Sequence, residues 1–425
     1  MDLNTSTYEI NKYLIRLKSF IDELGTNKSL KTTLIIKHTI IMFILIAGAL
    51  FFENEHFRRF LFIVTGIFLW LLLSMFEIFY FGHGFTNKRC VNGFQKIGLH
   101  NKLYEYPILK SKYISNDGKI ILSFYSSGIA REIWEEYLLK LENVFNVSIC
   151  EIRLGGRNDI IIVKCFKGKF DWINSTPWSN DYIPKGDKFI VGNTITGFEQ
   201  IDINSFPHIL IGGMTGSGKT VLLKQFLLQC IAKKYNVYIA DFKLGVDYPT
   251  AWKTRCTFLT SRHEIISTLK DVTEEMEKRQ TLLSDVGCNN ISIYNDKYDK
   301  KIPRVVFACD ELAELLDSTG MDKDDKVQIK EIEGYISKIA RLGRASGIHL
   351  ILATQRPDAD ILNGQIKSNM TYRLCGRAND VLSRIILDTT DAAKLIPADS
   401  KGVFINQDGI RVKGLNVKDA DIETI

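Results

Sequence analysis

An apolar run, His208-Ile209-Leu210-Ile211, leads into Gly213-Met214-Thr215-Gly216-Ser217-Gly218-Lys219-Thr220, which fills every fixed position of G-x-x-x-x-G-K-[ST]. This segment constrains the architecture more than any other, because such a loop works between a buried strand and the start of a helix. The glycines let backbone N–H groups curl around a β-phosphate, Lys219 can reach the β- and γ-phosphates, and Thr220 offers a hydroxyl to Mg²⁺. The residues that follow, Val221-Leu222-Leu223-Lys224-Gln225-Phe226-Leu227-Leu228, suit a helix whose N-terminal dipole faces the same anion. Gly213 to Thr220 are thus the candidate nucleotide-binding residues, with a nucleoside triphosphate and Mg²⁺ as the implied ligands.

A second segment, Arg304-Val305-Val306-Phe307-Ala308-Cys309-Asp310-Glu311, sets five consecutive apolar residues before an acidic pair. The run reads as a strand buried on both faces, as in a helix-covered parallel sheet, with the acids at its carboxyl end, where open α/β sheets bind ligands. Asp310 is expected to hold Mg²⁺ through water and Glu311 to polarise the attacking water. The plainer role open to them is capping the helix that begins at Leu312, and both roles can hold together. A third run, Ile348-His349-Leu350-Ile351-Leu352-Ala353, ends in Thr354-Gln355-Arg356-Pro357. An amide at the tip of a core strand lying between the other two can bond the γ-phosphate or the water and report hydrolysis, so Gln355 is the candidate sensor. An ordinary loop amide is the alternative.

At 425 residues the chain exceeds one ordinary domain, and two or three are expected. A formal net charge of +6 permits nucleic-acid binding without demanding it. The eight cysteines form no C-x-x-C pair and have no histidine at metal-ligand spacing. They read as small core residues in a reducing compartment.

Two strongly apolar stretches lie near the start, at about 34–52, with Lys37 and His38 near its beginning, and 60–81, where Glu77 is the only charge. Each is about long enough to cross ~30 Å of hydrocarbon, so 33–82 reads as a transmembrane hairpin. Two buried helices of a soluble domain are the alternative, but 61–74 holds no charge that could form a polar face. Lys12, Arg16, Lys18, Lys28 and Lys31 precede the first stretch, against Arg58 and Arg59 in the connection. That bias puts both termini in the cytoplasm, with 1–32 as a cytoplasmic segment, and the polar leader with no small-residue cleavage site argues against a secretory signal.

Residues 83–185 read as a small α/β adaptor without a catalytic constellation: strands over 119–124, 147–153 and 159–166, an amphipathic helix over 130–147, and a Gly155-Gly156 turn. The nucleotide-binding core is expected over 186–425, with 317–330 as a solvated loop and helix start inside it.

From Phe189 to about Pro397 the chain resembles the motor of the FtsK/SpoIIIE family of double-stranded DNA translocases. The matching pieces run in family order: Pro207-His208-Ile209-Leu210-Ile211 before the phosphate loop, Glu275-Met276-Glu277-Lys278-Arg279 followed by Tyr294-Asn295, then the Asp310-Glu311 strand. After these come the segment from Ala345-Ser346-Gly347 through Gln355-Arg356-Pro357, Ile366-Lys367-Ser368-Asn369, and Ser383-Arg384-Ile385-Ile386-Leu387-Asp388. The resemblance implies an α/β, RecA-like P-loop NTPase motor that hydrolyses ATP with Mg²⁺ and assembles as a homo-hexameric ring around DNA, touching mostly phosphates. It also implies an arginine supplied in trans to the γ-phosphate, Arg344 first, Arg384 second, with Arg373 and Arg377 as further possibilities.

Chromosome translocases of this type usually have four membrane helices, a long linker and a C-terminal winged-helix reader, whereas this sequence has two apolar stretches and ends ~30 residues past Pro397. It therefore looks more like the FtsK-like coupling proteins of Gram-positive conjugative plasmids and integrative elements, which bring DNA and its relaxase to a transfer channel. A chromosome-segregation translocase and an ATP-switched membrane scaffold that moves nothing are the competing readings. An ABC-type transporter ATPase is disfavoured, because no L-S-G-G-Q-like helix start stands between the two nucleotide motifs.

Overall fold

The computed structural model describes residues 28–51, 56–81, 85, 87–115, 118–242, 245–355, 362 and 364–425. The leader with Lys12, Arg16 and Lys18, the connection at 53–55 and the Arg356-Pro357 pair lie outside the described residues. The chain divides into two compact units, one ending at Phe170 and one beginning at Asp171.

The first unit starts with helices α1 (Lys28–Phe51) and α2 (His56–Phe81). Glycine lets them pack closely: a Cβ on Gly48 would strike Phe62, and one on Gly66 would strike Leu45. Trp70 Nε1 also donates to His38 Nδ1 at 2.8 Å. Away from that contact the helices project bare apolar side chains, with Phe43 72% and Phe57 77% exposed, which a soluble core helix would not do. Of the two expected spans, His56–Met75 is long and apolar enough to cross a bilayer, while the first corresponds to a shorter apolar stretch, Leu34–Gly48.

The rest of this unit is α3 (Asn87–Ile97), β1 (Ile108–Ile114), β2 (Ile120–Tyr125), α4 (Arg131–Glu136), α5 (Leu138–Phe145), β3 (Val147–Leu154) and β4 (Ile160–Lys167). The strands form an antiparallel sheet ordered β1-β2-β4-β3. Phe94, Phe124 and Trp134 meet in its core with ring centroids 5.1–5.4 Å apart. The single helix expected over 130–147 is two helices, because Tyr137 leaves helical geometry (φ −90°, ψ 1°). The second helix ends on Asn146 in the left-handed region (φ 53°), a conformation asparagine tolerates.

The second unit is built on one ten-stranded sheet. Its elements are β5 (Lys188–Thr194), β6 (Gly197–Asp202), β7 (His208–Gly212), α6 (Lys219–Ala232), β8 (Asn236–Ala240), α7 (Thr250–Lys253), β9 (Thr257–Leu259), α8 (Arg262–Asp285), α9 (Ile291–Lys297), β10 (Val305–Cys309) and α10 (Leu312–Leu316). They continue with α11 (Lys323–Ser346), β11 (Ile348–Thr354), α12 (Gly364–Asn369), β12 (Tyr372–Cys375), α13 (Asp380–Leu387), α14 (Asp391–Leu395), β13 (Val403–Asn406) and β14 (Arg411–Lys413). The order is β6-β5-β14-β13-β12-β7-β11-β10-β8-β9, parallel from β12 to β9 and antiparallel from β6 to β12. Strands β7, β10 and β11 are buried along their whole length, as their unbroken apolar runs require. Alternate residues feed two cores, Leu210, Phe307 and Leu350 into one and Ile209, Val306 and Ile351 into the other.

Residues 171–185 belong to this unit, so the division falls ahead of the expected 185/186 boundary. The reason is a strap along β14 and the last turn: Asn416 N donates to Thr176 O (2.8 Å), Trp178 N to Asn416 O (3.1 Å), and Asn180 Nδ2 to Thr424 O (2.9 Å). At the amino edge of the sheet, buried Arg304 gathers Asp187 (2.9 Å), Asn204 (2.7 Å), Ser292 (2.5 Å) and His349 (3.0 Å). Burial raises the Asp187 carboxyl, but the Arg304 charge and the Asn204 and Ser292 bonds outweigh it, so it is held below the usual carboxylate range.

Candidate nucleotide site

Parallel register brings three strand tips together. Thr354 of β11 pairs with Gly212 of β7, and Leu352 with Cys309 of β10, so Gly213, Asp310, Glu311 and Gln355 all stand at the carboxyl edge with β11 in the middle. The phosphate loop then turns into α6 at Gly218, a left-handed N-cap (φ 99°). A Cβ there would lie 2.9 Å from the backbone of Gly402, and one on Gly213 would lie 2.5 Å from Ser217 Oγ. Glycine at these two positions is a matter of space and of backbone conformation.

Lys219 is 5% exposed, and its ammonium bonds the Asp310 carbonyl while lying 3.5 Å from Asp310 Oδ1 and 3.6 Å from Glu311 Oε2. The Thr220 hydroxyl donates to the Asp310 carboxylate at 3.1 Å. Glu311 caps α10 through Ala313 N (3.4 Å) and also accepts from the Thr354 hydroxyl (2.9 Å) and Gln355 N (3.2 Å). The Gln355 side-chain carbonyl accepts from Thr215 Oγ1 at 2.7 Å. Beneath the acids, burial pushes the Cys309 thiol up to about 12, which keeps it protonated and out of the chemistry.

These groups can perform a recognisable task. A lysine between two carboxylates is free to exchange them for phosphate oxygens when an anion enters. Thr220 and Asp310 present hard oxygen donors side by side, the set that suits Mg²⁺, which keeps most of its water and takes one or two protein ligands. Gly216, Gly218, Val221, Leu222, Gly402 and Phe404 line a cleft of about 290 Å³ beside the loop.

Among the described residues, three of the four candidate trans arginines make no hydrogen bond to the phosphate loop. Arg344, at the end of α11, donates to Asn204 O at 2.8 Å on the amino edge of the sheet, opposite its own phosphate loop. Arg384 is exposed on α13, and Arg373 is paired with Asp388 at 2.6 Å. Arg377, the last of the arginines considered, lies against the phosphate loop of its own chain, donating to Thr215 O at 3.0 Å. Sequence reading had no account of Asp241, which directly follows β8 and accepts from Gly245 N at 2.6 Å, or of the turn at Gly402. A carboxylate directly after an apolar strand is the signal that could have pointed to Asp241.

The model of the FtsK/SpoIIIE family matches residues 174–359. Among solved structures, the pCW3 conjugation coupling protein TcpA, a monomer form with ATPγS, is 34% identical and superposes with a TM-score of 0.61, over 79% of this chain and 96% of that one. The chain belongs to the FtsK/SpoIIIE family. DNA translocase FtsK of Campylobacter jejuni is 33% identical over 223 residues, 49% of this chain and 22% of the relative. The Lactococcus lactis DNA translocase FtsK is 32% identical over 250 residues, 54% and 31%. The chain thus spans less than a third of the length of these two family members, and its α/β P-loop motor fold is what they share.

Proposed function

We propose that this chain is a membrane-anchored, ATP-hydrolysing DNA translocase that serves as the coupling protein of a conjugation system. The observation that carries the reading is the extent of the TcpA match, which takes in more of the chain than the motor unit alone, whereas the matches to the DNA translocases FtsK cover about half of it. The α1–α2 pair acts as a membrane hairpin with both chain ends on the cytoplasmic side, supported by its bare apolar surface.

The loop from Gly213 to Thr220 binds ATP, with Lys219 on the β- and γ-phosphates. Thr220 and Asp310 would hold Mg²⁺, which supplies Lewis-acid neutralisation of the phosphate charge. Glu311 accepts a proton from the attacking water, and Gln355, bonded to Thr215, reports the state of the γ-phosphate to β11. Arg344 stands on the wrong edge of the sheet to serve its own loop, so it serves the loop of a neighbouring copy, with Arg384 as the other candidate. Copies form a hexameric ring on DNA, held mainly through phosphates, and a relaxase complex and channel proteins select the strand that is moved.

The test is a mating assay in which Lys219→Ala replaces the wild type, paired with DNA-stimulated ATPase of the purified protein. Loss of both is expected, and retained transfer overturns the mechanism. The likeness to the DNA translocases FtsK supports one second reading, a segregation translocase, which a segregation defect with normal element transfer on gene deletion would favour.

A further inference from the structure

Arg377 has surroundings unlike those of the other arginines considered for this site. It follows β12, the strand beside β7, and so stands at the carboxyl edge next to the phosphate loop. Its carbonyl accepts from Met214 N at 2.8 Å, tying the two loops backbone to backbone. Its guanidinium is half-buried and makes two hydrogen bonds, Nη2 to Thr215 O at 3.0 Å and Nη1 to Ala398 O at 2.7 Å. The same Nη2 lies 3.8 Å from the point where a Cβ on Gly216 would stand. Both partners are neutral carbonyls, and among the described residues no carboxylate pairs with Arg377, in contrast to Arg373 on Asp388 and Arg304 on Asp187.

A guanidinium carries five donors, so about three remain for another acceptor. An uncompensated cation beside the third and fourth loop positions adjoins the γ end of a triphosphate cradled by that loop, where charge accumulates as the terminal phosphoryl group is transferred. Neutral carbonyls hold the arginine in place without neutralising it, which is the arrangement of a donor waiting for an anion.

We propose that Arg377 is a cis-acting arginine that binds the γ-phosphate of the ATP held by its own chain's loop; this rests on the reading that the loop binds ATP. In hydrolysis the water oxygen bonds to the γ-phosphorus while the bond to the β–γ bridging oxygen breaks, its electron pair leaving with ADP. The water proton goes to Glu311, and Arg377 neither gives nor takes one. Through Ala398 the same side chain links loss of the phosphate to the turn leading to Gly402, whose N–H bonds Ser217 O at 2.7 Å. Lys401 and Gly402 of that turn also line the cleft beside the loop, so a γ-phosphate and a ligand seated in that cleft would bear on one connected piece of backbone.

The test uses the full-length protein in detergent, as wild type, Arg377→Ala, Arg377→Lys and Lys219→Ala, with binding of ATPγS and of ADP measured separately. Arg377→Ala should weaken ATPγS on the order of tenfold or more while leaving ADP within about twofold, and Arg377→Lys should recover part of the loss. Mixing Arg377→Ala with Lys219→Ala copies should give no more ATPase than the two alone, because a cis arginine leaves every site in the mixture damaged. Equal loss of both nucleotides, or ATPase restored on mixing, overturns the proposal. A wild type that fails to bind ATPγS, or a Lys219→Ala protein that binds it normally, instead takes down the nucleotide reading on which the proposal stands.

Discussion

Thr215 of the phosphate loop donates its hydroxyl to the side-chain carbonyl of Gln355 at 2.7 Å, and the backbone N–H of Gln355 in turn donates to Glu311. Three strand tips, separate in sequence, are thereby joined by a short polar chain. Replacing Gln355 with Ala removes the first link and leaves the backbone link intact. ATPase turnover should fall by about tenfold or more with ATP affinity within about threefold, since the lost contact matters to the reacting phosphate more than to binding. An equal fall in affinity and turnover would place Gln355 among the ordinary binding residues.

Glu311→Gln should separate binding from hydrolysis. The amide oxygen can still accept from Thr354 and Gln355, so the local fold survives, but the group no longer takes a proton. Turnover should drop by roughly 10² or more while ATP binding, read by equilibrium binding of labelled nucleotide, persists. Normal turnover in this variant would leave Glu311 a helix cap and nothing else.

Gly218→Ala puts a methyl group 2.9 Å from the Gly402 backbone at a φ of 99°. A cost of about 1–3 kcal/mol is expected. Thermal denaturation should show a lower midpoint and no further stabilisation by ATPγS, whereas Gly287→Ala, at left-handed φ but with open space around it, should lower the midpoint and keep the nucleotide response.

Acid should destabilise the motor through two histidines. His208 and His349 are fully buried, and burial pushes the first down to about 3 and the second, with help from the Arg304 charge, well below its ordinary value. An unfolded chain takes up a proton at each near pH 6.5, which the folded chain refuses, so stability is whole above that pH and lost as pH falls below it, at about 1.4 kcal/mol per pH unit for each histidine. Melting midpoints should decline between pH 7 and 5, and less so in His208→Asn, which keeps an acceptor for Leu350 N. A flat profile over that span would mean that neither ring resists protonation.

Much of the site could be read before folding because its strands are insulated from context. A five-residue apolar run such as Val305–Cys309 has one economical place, inside a parallel sheet, and the residue after it must then stand at the carboxyl edge. The antiparallel half was harder to see. Strand β14 is three residues long, and Arg411 and Lys413 within it are buried by pairing and by Trp172, so its pattern resembles a polar turn. Tyr137 breaks a helix that periodicity alone would continue, three residues after the buried Trp134. Arg377 escaped a confident role because β12 is short and includes Arg373, leaving nothing in the local pattern to say that the next loop would meet Gly216.

The strap from Asp171 to Pro184 also has a mechanical meaning. Backbone bonds joining Thr176 and Trp178 to Asn416 form a short parallel bridge to the far end of the motor's own chain. Tension on the polypeptide entering at Asp171 therefore meets these bonds before it reaches β5. Load entering this unit at Asp171 would then pass at Asn416 into the segment just after β14 before it reaches β5.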